Sequence, residues 1–285
     1  MTLHEEGKTV LSAAGVPNPA RDAERLLAHA LGVERARLHL DPRREAPPAA
    51  AALYRALLAR RARREPVQYL VGEQEFWSLA LRVTPAVLIP RPETELVVAA
   101  CIRRNTVPNP VILDLGTGSG CIAIAVAREI PGARVLASDV SREALDVARD
   151  NARRLGVEGR VEFRQGDLFA ALSDAVPEGG ADFILANPPY VSDGEFPGLP
   201  PEVRDHEPRA ALVAGPDGLE VHRRIAVGAA RMLRPGGLVI VEFGAGQADG
   251  IGRIYGPACG LEPIAIEPDL AGLPRVGIAR AGGRR

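Results

Sequence analysis

Val111-Ile112-Leu113-Asp114-Leu115-Gly116-Thr117-Gly118-Ser119-Gly120-Cys121-Ile122 is the stretch on which the fold turns. A short apolar run ends at Asp114 and Leu115, three glycines follow at alternate positions, and a second apolar run from Cys121 to Ala127 begins at once. That order describes a buried strand, a tight turn and a helix. Glycine lets the backbone turn sharply and approach a ligand with no Cβ in the way. The spacing is G-x-G-x-G, so it lacks both the G-x-G-x-x-G of a dinucleotide site and the GK[ST] of a phosphate loop. No phosphate cradle is expected.

Outward from this unit the chain alternates strand and helix. Val111 to Leu115, Arg134 to Ser138, Val161 to Arg164, Phe183 to Ala186 and Leu238 to Phe243 read as strands. Cys121 to Glu129, Glu143 to Leu155 and Leu219 to Leu233 read as the helices between them. Short apolar strands in β-α-β repetition imply a parallel sheet covered on both faces. Leu261 to Ile266 and Arg275 to Ala279 are closing strands that can include an antiparallel edge.

Upstream, apolar residues recur at helical spacing from Val10 to about Arg64, as in Ala23, Leu26, Leu27, Ala30 and Leu31. Pro17, Pro19, Gly32, Pro42, Pro47 and Pro48 cut this region into short helices, and no strand pattern interrupts it. Arg55, Arg60, Arg61, Arg63 and Arg64 make its end basic, which suits either a solvated face or docking onto an acidic partner or RNA. Between Gly72 and Pro90 the period changes to two, through Phe76, Trp77, Leu79, Leu81, Val83 and Val87 to Ile89 around Thr84-Pro85-Ala86. That predicts a connecting hairpin. Arg91-Pro92-Glu93-Thr94-Glu95 then opens a helix through about Arg104, with proline and acids in its first turn.

Three strand ends in succession carry ligand chemistry. The glycine turn follows the first. Asp139 follows the second, where a carboxylate can accept from ribose hydroxyls. Gly166-Asp167-Leu168 follows the third, where Asp167 can accept from an adenine amino group. Each acid taken singly reads equally as a helix N-cap. Together they favour a nucleoside ligand without phosphates, for which S-adenosylmethionine is the best candidate.

A fourth strand, Asp182 to Ala186, ends in Asn187-Pro188-Pro189-Tyr190. Two prolines offer no N–H and fix φ, so the segment cannot continue a central strand. It offers acceptors instead. The side-chain oxygen of Asn187 and the main-chain oxygen of Pro188 suit a planar NH2 group, and Tyr190 adds an aromatic face to lie on that plane. A Pro-Pro turn that merely ends a buried strand is the competing explanation.

The remaining composition narrows the field. The formal net charge of -1 gives no overall pull toward nucleic acid, although a local basic surface is compatible with it. Cys101, Cys121 and Cys259 show no CxxC spacing and the five histidines no ligand spacing, so no disulfide framework and no metal site are expected. A reducing, cytoplasmic setting fits. His4, Glu5, Glu6 and Lys8 stand where a signal peptide would need apolar residues, and no apolar run approaches the roughly 20 residues of a membrane span.

With these segments in hand, the chain resembles the PrmC/HemK protein-(glutamine-N(5)) methyltransferases, which modify the Gly-Gly-Gln loop of peptide chain release factors. The resemblance runs nearly end to end. It includes Asp22 to Leu27, Arg64 to Gly72, Val87 to Glu95, Asp114 to Gly120, Gly166 to Phe169, Asn187 to Tyr190, Glu207 to Leu212 and Asp217 to Leu219. It implies a Rossmann-like, seven-stranded α/β fold of the S-adenosylmethionine-dependent methyltransferase type. A small N-terminal all-helical substrate-recognition domain (residues 1–72) is expected, with a methyltransferase domain (73–285) whose connector is a hairpin over 73–90. Carried over residue by residue, it puts cofactor binding on Gly116, Thr117, Gly118, Ser119, Gly120, Asp139, Leu168 and Asn187, beside the Asp167 read above. Substrate binding falls on Asn187, Pro188, Pro189 and Tyr190, with Asn187, Pro188 and Tyr190 as the catalytic residues. Leu168 stands where some members have an aromatic residue, which reduces its adenine contact to apolar packing.

The implied partners are class 1 release factors, with no membrane and no stable nucleic-acid binding. The tetrapeptide alone does not separate this activity from methylation of a ribosomal-protein glutamine, or of an adenine amino group in DNA or RNA. A base-modifying enzyme needs to extract its base and hold the strand on a basic surface. A protein that binds partner and cofactor without catalysis is a further alternative.

Overall fold

Residues 2–40 and 46–283 are described by a computed structural model; Pro42, one of the expected helix breaks, lies outside them. The chain divides into two compact units. One comprises the residues up to Glu73 together with Pro200–His206, and the other comprises Gln74–Leu199 with Glu207–Arg285.

The first unit is helical: α1 (Leu3–Ala13), α2 (Pro19–Leu31), α3 (Arg35–Leu40), α4 (Pro48–Ala62) and α5 (Val67–Val71). Pro19 and Pro48 sit in the first turns of α2 and α4, where a missing N–H costs nothing, and Gly32 closes α2 in the left-handed conformation. Leu11, Ala23, Leu26, Tyr54 and Leu58 form its core. The basic end of α4 is partly solvated, with Arg55, Arg60 and Arg63 exposed, and four of its five arginines are paired within the unit. Arg55 pairs with Glu6, Arg60 with Glu65, Arg61 with Asp22 and Glu202, and Arg64 with Glu202.

The second unit begins with the hairpin of β1 (Glu73–Phe76) and β2 (Leu79–Arg82). Its turn is at Trp77 and Ser78, both at positive φ (53° and 57°), as a two-residue hairpin loop requires. The predicted return strand at Val87–Ile89 does not form. Thr84 to Val87 makes a separate turn, and the Ile89 N–H donates to the carboxylate of Glu207 at 3.2 Å instead of joining a ladder.

Then follow α6 (Glu95–Arg104), β3 (Val111–Leu115), α7 (Cys121–Glu129), β4 (Arg134–Asp139), α8 (Arg142–Arg154), β5 (Val161–Gln165) and β6 (Ala181–Ala186). After α9 (Pro201–Arg204), which lies in the excursion assigned to the helical unit, come α10 (Glu220–Met232), β7 (Leu233–Glu242), α11 (Ala248–Ile254), β8 (Leu261–Pro268) and β9 (Pro274–Ala281). The seven-stranded sheet has the order β5-β4-β3-β6-β7-β9-β8. Neighbours from β5 to β7 are parallel, and β9 runs antiparallel to both β7 and β8.

Alternate residues of one strand enter opposite layers. Ile112 packs with Val97, Val98 and Ile122, whereas Leu113 packs with Ile225, Ala229 and Ile251. That two-sided burial is why the strands read as continuous apolar runs. Because β4 flanks β3 on one side and β6 on the other, the strand order reverses at β3, and a crevice opens beyond the carboxyl ends of β3 and β6. Among the described residues no helix is long and apolar enough to cross a membrane.

Candidate active site

The crevice holds a cavity of about 520 Å³. The glycine turn after β3, the end of β4, the turn after β5 and the segment after β6 all contribute to its wall, so four strand ends, contributing residues from Gly116 to Pro189, meet at one place. Gly116, Gly118, Asp139, Asp167, Leu168, Asn187 and Pro189 line it; Val87, Val140 and Pro208 supply apolar surface.

The glycine turn is built by hydrogen bonds around positive φ values at Gly116 (68°), Gly118 (55°) and Gly120 (82°). Its two side-chain positions face inward. Thr117 donates its hydroxyl to Asp114 Oδ2 at 2.6 Å and its N–H to the Ser138 carbonyl at 2.9 Å, while Ser119 is buried. Neither lines the cavity, and nor does Gly120, where a Cβ would meet Ile124 and Ala148. Thr117 and Ser119 therefore shape the turn from below. Asp114 is fully buried with Oδ1 unpartnered among the described residues, and that burial pushes its carboxyl up to about 7.

Asp139 is tied to the turn. Its Oδ2 accepts from the Gly118 N–H and its Oδ1 from the Ser141 N–H, both at 2.9 Å, which leaves a lone pair on each oxygen toward the cavity. Asp167 is exposed and forms an ion pair with Arg224, the one cation among the described lining residues. Leu168 is held at φ 47°, an uncommon conformation for a side chain of its size, at the start of a short 3-10 turn.

Asn187 lines the cavity and donates Nδ2 to Thr94 Oγ1 at 2.9 Å; Thr94 donates onward to Glu242 Oε2 at 2.5 Å. Tyr190 donates its hydroxyl to Glu242 Oε1 at 3.3 Å. Burial holds the Tyr190 phenol above its usual range, so it stays protonated. Pro188 is buried, and neither it nor Tyr190 lines the cavity. Gln247 fastens this segment from behind. It donates to the Tyr190 carbonyl at 3.0 Å while accepting from the Gly244 N–H at 2.9 Å.

The acid-rich segment before α6 is a set of anchors. Arg91 donates to buried Glu207 at 2.5 Å, and Glu95 accepts from the Trp77 N–H at 2.7 Å. Thr94, Glu242 and Gln247 did not stand out as site residues in the sequence. One signal was present for Glu242: it is the sole charge in the run Leu238-Val239-Ile240-Val241-Glu242-Phe243, whose strand is buried from Val239 to Glu242.

Comparison with known proteins adds to this geometry. A family model described as the PrmC N-terminal domain matches residues 2–72, and one described as the methyltransferase small domain matches residues 94–197. The chain is 47% identical over 270 residues to the release factor glutamine methyltransferase of Cereibacter sphaeroides, covering 95% of this chain and 94% of that one. It is 44% identical over 283 residues to the protein of the same name from Moorella thermoacetica, covering 98% of each. Among solved structures, a methyltransferase from Pyrococcus furiosus matches with a TM-score of 0.54 at 20% identity, over 79% of this chain and 98% of that one, a likeness of fold.

Proposed function

The chain belongs to the release factor glutamine methyltransferases, and from that premise we propose how its residues divide the work. It is a methyltransferase that transfers a methyl group from S-adenosylmethionine to the side-chain amide nitrogen of a release-factor glutamine. When bound, the cofactor supplies an electrophilic methyl group on a positively charged sulfur.

The residues suit that group. The cavity volume falls in the range of small-molecule sites. Asp139 has lone pairs to accept from ribose hydroxyls, and Leu168 with Val140 offers apolar surface to an adenine ring. Asp114, buried beneath the turn, holds Thr117 and the Ala123 N–H and so keeps the glycine backbone in place for the cofactor. Gly116 and Gly118 carry no Cβ that would narrow the approach. Asp167, paired with Arg224, acts on an adenine amino group from the rim. Thr117, Ser119 and Gly120 act by holding the turn.

A glutamine amide nitrogen is a poor nucleophile because its lone pair is shared with the carbonyl. Asn187 Oδ1 and the Pro188 main-chain oxygen accept its two protons, Pro189 and Tyr190 pack its plane, and the nitrogen is aimed by that grip. The same acceptors stabilise positive charge growing on nitrogen. One observation carries this reading. Asn187 commits Nδ2 to Thr94, so the end of the amide left for a ligand is its acceptor oxygen.

The partner is a class 1 release factor presenting its Gly-Gly-Gln loop, held through the helical unit, in the cytoplasm and without stable nucleic-acid binding. A net charge of -1 and the internal pairing of the α4 arginines favour a protein substrate over a nucleic-acid strand. Incubation with methyl-labelled cofactor and, separately, release factor, ribosomal protein and DNA tests this. Label in a tryptic peptide containing Gly-Gly-Gln is expected, and label only in ribosomal protein or DNA would overturn it. Asn187→Ala is expected to lower turnover by about a hundredfold with cofactor saturated.

A further inference from the structure

We propose that Glu242 is a positioning residue: acting through the Thr94 hydroxyl, its carboxylate fixes which end of the Asn187 amide faces the substrate. This rests on the glutamine-methylating role of Asn187 given above and adds a residue and a polarity to it.

A threonine hydroxyl has one proton to give. Thr94 gives it to Glu242 Oε2 at 2.5 Å and therefore presents only a lone pair to Asn187, which must answer with Nδ2 at 2.9 Å. An ionised carboxylate can only accept, so the direction of this relay is set at its buried end. Both Thr94 and Glu242 are 1% exposed, and water does not compete for either. The Oδ1 of Asn187 is thereby turned to the NH2 it must grip.

Protonation of Glu242 permits the opposite relay. The carboxyl then donates to Thr94, Thr94 donates to Asn187 Oδ1, and the amide turned about its axis presents Nδ2 to the substrate. Donor meets donor, and the grip is lost. The second carboxylate oxygen accepts from Tyr190, so both polar residues of the tetrapeptide depend on one group.

The setting keeps the two states close. Burial raises the Glu242 carboxyl to about 7, and Glu93 adds to the rise; Arg275, Thr94 and Tyr190 oppose it. Cys121, at the start of α7, is close enough to feel the Glu242 charge. Arg275 is itself paired with Asp269.

The test uses the full chain with release factor and saturating S-adenosylmethionine, with cofactor affinity by calorimetry and thermal unfolding as controls. Thr94→Val, which keeps shape and removes the relay, is expected to lower kcat by about tenfold to a hundredfold with cofactor affinity unchanged. Thr94→Ser restores the hydroxyl and is expected within about threefold of the parent, a span too small to signal loss of a preorganised contact. The parent's kcat is expected to fall on acidification through an inflection near 7. Glu242→Gln keeps an oxygen to accept from Thr94, while Tyr190 must turn its hydroxyl to accept the new N–H, so the variant is expected to retain measurable turnover and to lose that inflection.

Equal kcat for Thr94→Val and Thr94→Ser, or an acidic limb that persists in Glu242→Gln, would overturn the proposal. If Asn187→Ala retains full turnover, the underlying assignment of Asn187 fails instead. If Asn187→Ala is inactive while the Thr94 and Glu242 variants behave like the parent, only the relay fails.

Discussion

The N–H of Gly118 donates to Oδ2 of Asp139 at 2.9 Å, so the carboxylate assigned to the ribose also holds the glycine turn in shape. Asp139→Ala removes both functions at once. Cofactor affinity is expected to fall by more than the tenfold or so that one lost hydrogen bond to a charged group explains, and by calorimetry Asp139→Asn should fall between. An asparagine has one oxygen for the Gly118 and Ser141 N–H groups together, so part of the turn is left unheld.

Leu168 separates contact from strain. A leucine at φ 47° costs on the order of 1 kcal/mol, which glycine does not incur. Leu168→Gly is therefore expected to unfold near the parental temperature, relief of strain offsetting lost packing, while cofactor affinity drops by about tenfold. Thermal unfolding without and with cofactor reads the two effects separately.

Arg61 is expected to be a stability residue. Its guanidinium is 5% exposed and bridges Asp22 at 2.8 Å and Glu202 at 2.9 Å. Arg61→Met leaves the Asp22 carboxylate without its ion pair and Glu202 with Arg64 alone, and a loss of about 3 kcal/mol in urea unfolding is expected. The double change Asp22→Asn and Arg61→Met removes the stranded charge and should recover most of it.

The buried acids make stability depend on pH in a definite direction. Glu242 rises from an ordinary 4.5, and Asp114 from 3.8, to about 7 in the folded protein. Between those values the native state holds more protons than the unfolded chain, so this contribution is full below about 4 and is lost as pH rises through 7. His222, buried and lowered from 6.5 to about 4, acts in the opposite sense, with stability gained as pH rises across that interval. Comparing Glu242→Gln with the parent cancels the His222 and Asp114 contributions. The variant should match the parent near pH 5 and melt a few degrees higher near pH 8.

The strands and the two ligand-facing turns were legible in the sequence because each is local. Val111 to Leu115 and Cys121 to Glu129 have the expected bounds, since a glycine turn between two apolar runs leaves little freedom. The end of β6 at Ala186 was legible because Pro188 and Pro189 cannot continue a central strand. The hairpin turn was misplaced for an equally local reason: Trp77-Ser78 lacks the Asn-Gly or Gly signature of a two-residue loop, whereas Thr84-Pro85-Ala86 has a turn composition. Thr94, Glu242 and Gln247 could not be paired from sequence. Thr94 and Glu242 are 148 residues apart and meet only because α6, which follows Thr94, packs on β6 and β7, whose ends lie side by side with Ala186 opposite Val241. The excursion at Pro200–His206 was illegible too, because Glu202 identifies its arginines only once the helices have packed.

If Asn187 and Pro188 grip the substrate as proposed, the pair of acceptors also sets a limit on how far the reaction goes. A primary amide brings two protons to two oxygens, whereas the methylated product brings one. The product therefore leaves an acceptor unmatched in a site built of carbonyl groups, where an unpaired polar atom is costly. Under that proposal the grip disfavours its own product, and addition of one methyl group followed by release of the modified side chain is expected.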